Sequence, residues 1–249
     1  ARTTAERFAV HSLHSYFLRP GDTAVPIVYD VDPIRDGRSF ATRRVVARQH
    51  GRPIFGLTAS FQVAEKGLEH QDALPDVPAP EDCLDLSEAV RRAGRDSEEW
   101  QREWAALEVR YAGDSRPGGR LEDPAFPARA RLWIRINGEL PDDPLQHTAA
   151  FTYASDMTLL AATLVPHNLL ISSDELQAAS LDHSVWFHRP FRADRWWLYD
   201  QASPSASGGR GLAIARVFTQ DGRLVASVAQ EGLIRVRSQK GDEHTETPN

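Results

Sequence analysis

The stretch His11-Ser-Leu-His-Ser-Tyr-Phe-Leu-Arg-Pro-Gly-Asp22 returns, altered, as Ala179-Ser-Leu-Asp-His-Ser-Val-Trp-Phe-His-Arg-Pro190. Ser12-Leu13 answers to Ser180-Leu181, and Arg19-Pro20 to Arg189-Pro190. Further along, Tyr29-Asp30 answers to Tyr199-Asp200, Gly37-Arg38 to Gly209-Arg210, and Gln49-His50-Gly51-Arg52 to Gln220-Asp221-Gly222-Arg223. The offset drifts only from 168 to 172 residues, so one copy spans His11–Val63 and the other Ala179–Val236. Repeats this far apart describe a tandem of small units, because solenoid repeats are shorter. A site held by one copy alone should show as a polar position with no polar counterpart.

Each copy reads as antiparallel strands. In the first, Ser12–Leu18, Val25–Val31, Ser39–Arg48 and Arg52–Val63 are expected, with His50-Gly51 as a hairpin turn. In the second, Ala179–His188, Trp196–Ala202, Gly211–Thr219 and Leu224–Arg237 are expected. Between the copies, Glu65–Asp96 is rich in Pro, Asp and Glu, which is linker composition. Ser97–Ala106 is a short helix candidate, and Leu107–Tyr111 and Ala128–Ile136 alternate like strands. Pro141-Asp-Asp-Pro144 reads as a breaker. His147–Val165, rich in alanine, is the clearest helix, ended by Pro166. The polar tail Ser238–Asn249 reads as disordered. The second half is thus strand, helix, then four strands: a curved antiparallel sheet around one helix, the hotdog arrangement. The expected class is α+β, a tandem or double hotdog. The expected division is 1–64 (first unit), 65–106 (linker), 107–237 (second unit) and 238–249 (tail). The first copy shows the strands without the helix, so its helix is expected upstream of residue 1 and absent from this chain.

The 249 residues carry a net charge of −6, with Lys only at positions 66 and 240 and no basic block. Nucleic-acid binding is not expected. No apolar run approaches the roughly 18 residues of a spanning helix. The single cysteine, Cys83, excludes an internal disulfide and suits a reducing compartment.

Three polar positions stand out: Asp156 on the alanine-rich helix, Ser180 opening the second repeat, and Gln230 in the last strand. Gln230 aligns with Ala59, so its polar group belongs to one copy only; Ser180 has a counterpart in Ser12. Read from the residues alone, Ser155-Asp156 is first of all a cap of a helix beginning there, Ser180, matched by Ser12, is an ordinary strand hydroxyl, and Gln230 can be a surface strand residue. His11, His14, His183 and His188 fit no standard zinc spacing and read as structural. Ser203-Pro-Ser-Ala-Ser-Gly-Gly209 lacks the Gly-Lys-Ser/Thr of a phosphate loop and reads as a strand connection. No Gly-x-Ser-x-Gly elbow is present.

The chain resembles the type II acyl-CoA thioesterases, the TesB-like family, over nearly its whole length. The resemblance rests on His11–Asp22, Gly67-Leu-Glu-His-Gln71, Pro75-Asp-Val-Pro-Ala-Pro-Glu81, Tyr153-Ala-Ser-Asp156, Ser180-Leu-Asp-His-Ser184, Trp186-Phe-His-Arg-Pro190 and Gln230-Glu-Gly232. It implies a double hotdog that hydrolyses acyl-CoA to fatty acid and CoA, with the family's catalytic Asp, Ser/Thr and Gln at Asp156, Ser180 and Gln230. The departure is the absent stretch before His11, where the family carries a Gly-Gly-Gln motif. The chemistry suits the residue types: a thioester is already activated, so an oriented, partly deprotonated water can attack it directly. Asp156 would take the proton, Gln230 would fix the water with a donor and an acceptor, and Ser180 would hold the water or bridge to Asp156. Backbone amides at the start of the helix would receive the oxyanion.

The resulting expectation is a cytoplasmic acyl-CoA thioesterase with acyl-CoA as substrate, no cofactor or metal, Arg side chains at the CoA end, and self-association into a dimer or tetramer through exposed sheet edges. Two alternatives stay open: a hotdog enoyl-CoA hydratase or dehydratase, and a non-catalytic acyl-CoA binder. The first would need a paired Asp and His, and strand alternation points Asp182 and His183 to opposite faces.

Overall fold

His50 and Gly51 both adopt positive φ, 49° and 73°, the backbone a two-residue hairpin demands. They join β3 (Phe40–Gln49) to β4 (Arg52–Val63). The computed structural model describes residues 1–92 and 97–237. The tail 238–249 lies outside the described residues.

With β1 (Phe8–Phe17) and β2 (Val28–Asp36), the first copy forms a sheet in the order β2-β3-β4-β1. The second copy supplies β8 (Leu176–Ser180), β9 (Asp182–Phe187), β10 (Trp197–Ser207), β11 (Arg210–Thr219) and β12 (Leu224–Val236). Its order, β9-β12-β11-β10, mirrors the first, and β1 pairs antiparallel with β9 to make one continuous sheet. That seam is centred on His14 opposite Ser184. An offset of 170, that of Arg19 and Arg189, makes these two residues each other's repeat counterparts, so the seam is the pseudo-twofold of the molecule. Beyond β10 the sheet continues through β7 (Arg129–Ile136), β6 (Leu107–Asp114) and the short β5 (Leu84–Asp85). This is a hotdog-type fold.

The helix differs from the sequence reading. α3 runs Pro144–Asp156, capped by the Asp143 side chain, which accepts from the Leu145 amide. Asp143-Pro144, expected to break structure, begins it, because an Asp cap followed by Pro in the first turn is a strong start. The chain then tightens to a 3-10 segment, Leu159–His167, that contains Pro166 and stops at Asn168 in the left-handed region. Phe151 anchors α3 to the sheet and is fully buried, with edge-on contacts to Phe191 and Trp197, both 5.1 Å between centroids. Each such ring pair adds about 0.5–1.5 kcal/mol beyond area burial. Close approach of the 3-10 segment depends on the strands: Gly211 and Gly232 are directly paired across β11 and β12. A Cβ on Gly211 would sit 2.8 Å from Thr163, and one on Gly232 3.0 Å from Leu160 Cγ, with the Leu160 methyls nearer still. The counterparts of this glycine pair in the first copy are Ala41 and Phe61, also paired and both buried.

The first copy has no helix among the described residues, and its strand β2 is exposed almost throughout. Tyr29 is 62% exposed, while its counterpart Tyr199 is fully buried beneath α3. The stretch between the copies is more ordered than its composition suggests. β5, α1 (Leu86–Arg92) and α2 (Glu98–Trp104) lie within it, and Leu74 and Val77 pack on the outer face against a cluster of Trp133, Leu198 and Phe218. Gln71 bridges the Gly222 carbonyl and the Leu224 amide, and the Trp133 indole donates to the Pro78 carbonyl.

Candidate functional site

Asp156 is the last residue of α3. It therefore does not cap a helix start, and a carboxylate at this end opposes the helix dipole. The cost marks the position as one chosen for something other than helix stability. Its side chain is 35% exposed. Strands of the second copy grip the chain around it. From β10, the Tyr199 hydroxyl donates to the Ser155 carbonyl at 2.8 Å and Gln201 Nε2 to Thr158 Oγ1 at 3.0 Å, both bonds buried. Burial and the nearby Asp156 carboxylate push the Tyr199 phenol well above its ordinary range, so it remains a donor.

From β12, Gln230 reaches the same point. Its Nε2 donates to Asp156 Oδ1 and, at 2.9 Å, to Ser180 Oγ. The three residues singled out in the sequence thus meet around one amide nitrogen. Both N–H groups of Gln230 are committed, while its Oε1 is buried without a partner. The Ser180 oxygen accepts from Gln230, so its own hydrogen remains to be donated. In the first copy the paired positions of Gln230 and Ala213 are Ala59 and Arg43, and the Arg43 side chain is buried there. That copy holds no equivalent amide.

A β-bulge sets up the remaining geometry. The expected strand Ala179–His188 is two strands, β8 and β9. Ser180 faces Gly232 and Ser184 faces Ala229, so three residues (181–183) oppose two (230 and 231). The extra residue is held by the Leu181 amide donating to the Glu231 carbonyl and by Asp182 accepting from the Glu231 amide at 2.7 Å. In a regular strand Ser180 and His183 would face opposite sides; the bulge turns both inward. His183, read from the sequence as structural, is buried with Nε2 2.8 Å from Ser155 Oγ and Nδ1 3.8 Å from Asp156 Oδ1. Burial lowers its imidazole pKa, opposed by the Asp156 and Asp182 carboxylates. One signal would have found it: its repeat counterpart, at the offset of Arg19 and Arg189, is Leu13 opposite Ala59, so the ring, like Gln230, belongs to one copy only. Asp182 and His183 do diverge, as alternation implied.

The amide end of α3 cannot serve Asp156 as an oxyanion site. Twelve residues at about 1.5 Å each put it roughly 18 Å away, and the Asp143 side chain occupies it. His11, His14 and His188 pair with Ser60, Ser184 and Ser227 respectively, and among the described residues no cluster of metal-ligating side chains occurs.

Comparison with known proteins places the chain in a family. The acyl-CoA thioesterase family profile matches residues 121–233, and the acyl-CoA thioesterase N-terminal domain profile matches residues 1–62. Acyl-CoA thioesterase 2 of Haemophilus influenzae is 41% identical over 232 residues, covering 91% of this chain and 79% of that protein. Human acyl-coenzyme A thioesterase 8 is 39% identical over 251 residues, covering 96% and 77%. The crystal structure of acyl-CoA thioesterase II TesB2 from Mycobacterium marinum superposes with a TM-score of 0.82 at 46% identity, over 95% of this chain and 84% of that one. With relatives of this identity and coverage, the chain belongs to the acyl-CoA thioesterase family.

Proposed function

We propose that this chain hydrolyses acyl-CoA to fatty acid and CoA by direct attack of water, with Asp156 as general base, Ser180 as donor to the water or substrate, and Gln230 as the clamp that holds both. The single observation that carries this reading is the Gln230 amide, which donates to Asp156 and Ser180 at once. Asp156 is partly exposed, and its carboxylate keeps lone pairs beyond the one that accepts from Gln230, so it can take a proton from water. The water's oxygen bonds to the thioester carbon while its proton passes to Asp156. Collapse of the tetrahedral adduct breaks the C–S bond, and the proton moves on to the departing thiolate. Gln230 acts by positioning, since its own donors are spent and its carbonyl is enclosed.

We further read residues 1–64 and 107–237 as two hotdog units joined by 65–106, the second bearing the site. The same reading places the protein in the cytoplasm as a homo-oligomer. Support for self-association comes from the exposed edge strand β2, with Val28, Tyr29, Val31 and Ile34 uncovered.

The test follows CoA thiol release and the enoyl absorbance together on saturated and enoyl-CoAs of several chain lengths. Thiol release from saturated esters, without an acyl-protein adduct by intact mass, is the expected result. Loss of the double bond without thiol release would assign hydratase chemistry instead.

A further inference from the structure

We propose that His183 is a positioning residue for the hydrolysis, its Nδ1 forming with Asp156 a pair that holds the proton taken from water. This rests on Asp156 being the base. The argument begins with Ser155. Its single O–H lies 2.9 Å from the Thr152 carbonyl, a group that can only accept, so the hydrogen goes there. Ser155 Oγ must then accept from the imidazole 2.8 Å away, which fixes the hydrogen on Nε2. The neutral ring therefore presents Nδ1 as a lone pair. That atom is buried without a hydrogen-bond partner and lies 3.8 Å from Asp156 Oδ1. Two lone pairs face each other across a gap too long for a hydrogen bond, in a place water does not fill. A proton arriving on Asp156 removes the mismatch, because it can be shared between the carboxyl oxygen and Nδ1 as the two close. An unpaired buried acceptor is costly in the resting state and satisfied only once the proton has been transferred.

The charged and titratable surroundings fit. Asp156 faces the ring from α3 and Asp182 adjoins it on β9. Across the seam His14 is bonded to Ser184, on β12 Glu231 is paired with Arg210, and from β10 Tyr199 is bonded to the Ser155 carbonyl. Burial keeps the resting imidazole neutral. The carboxylate favours the shared proton once it is present. The acid limb of the kcat profile then belongs to the pair and not to either residue.

The test is His183→Gln, whose amide can still donate to Ser155 but which has no titrating atom. The expected result is a folded protein with unchanged KM, kcat lower on the order of tenfold, and an acid limb moved down by about one pH unit or more, toward the carboxylate range. An unmoved limb would overturn the proposal, since a purely structural histidine would lower kcat without shifting it. Nitrogen NMR of the wild-type protein labelled at histidine gives a second reading that survives misfolding of the variant. Protonated Nε2 with bare Nδ1 at neutral pH is expected, and the opposite tautomer refutes the argument. Asp156→Asn separates the two levels: if it stays active, the base assignment fails; if it is inactive while the His183→Gln limb stays put, only the present inference fails.

Discussion

Replacing Gln230 with leucine should cost activity without costing stability, an unusual pairing for a fully buried side chain. The substitution removes the bond to the charged Asp156, a loss of about 1.5–3 kcal/mol, and also disposes of a buried, unpartnered Oε1, a gain of about 1–3 kcal/mol. With the neutral bond to Ser180 also lost, about 0.5–1.5 kcal/mol, the terms offset one another to within about 2 kcal/mol. The released Ser180 and Asp156 both retain solvent access and can be rehydrated. Each kcal/mol of that residual moves Tm by roughly 2–4 °C in a chain of this length. Catalysis has no such compensation. If the bond to Asp156 is expressed in the transition state, its 1.5–3 kcal/mol corresponds to a fall in kcat of about 10- to 150-fold at one decade per 1.36 kcal/mol. Thermal melts and steady-state release of free CoA measure the two quantities on one preparation. A Tm drop typical of a core cavity, together with unchanged kcat, would refute the reasoning by showing that Gln230 is a packing residue.

Gly232→Ala should destabilise by about 1–3 kcal/mol through overpacking against Leu160. It should also lower kcat by displacing the segment that follows Asp156; thermal melting and CoA release read both, and an unchanged melt would show that Leu160 yields freely. Asp194 supplies a pH signature. Its carboxyl is held down to about 2, chiefly by the Arg192 guanidinium and also by the Leu140 amide. A depressed folded-state value contributes stability that is present above about pH 4 and lost as the pH falls through about 2. Asp194→Asn should therefore melt lower than wild type at neutral pH, with the two curves converging in strong acid. A difference that does not shrink would assign the effect to something other than the carboxylate.

Much of this architecture was legible because the chain states it twice. Paired copies fixed the strand set, the hairpins and the hotdog arrangement. The asymmetry between Gln230 and Ala59 pointed to one working copy, and the structure brings Asp156, Ser180 and Gln230 together. What was not legible has physical causes. Strict alternation cannot foresee a bulge, so the turn of His183 toward Asp156 went unseen. Its counterpart Leu13 carries the same kind of asymmetry as Ala59 does for Gln230. The helix was drawn with the wrong bounds because Pro144 was weighed as a breaker and not as a first-turn residue behind an Asp cap. The helix start, expected to supply oxyanion donors, lies at the far end of α3 from Asp156. The Pro-rich connection looked like free linker, yet its few apolar residues find a cluster on the outer sheet face that only tertiary pairing creates.

The central claim is that Asp156 activates the water, and the most direct measurement is the kcat of Asp156→Asn beside its affinity for a non-hydrolysable acyl-CoA analogue. Asparagine can still accept from Gln230 but cannot take a proton, so kcat should fall by at least about 100-fold while affinity and Tm stay at wild-type values. Turnover within a few-fold of wild type would contradict the account and move the base elsewhere in the fold.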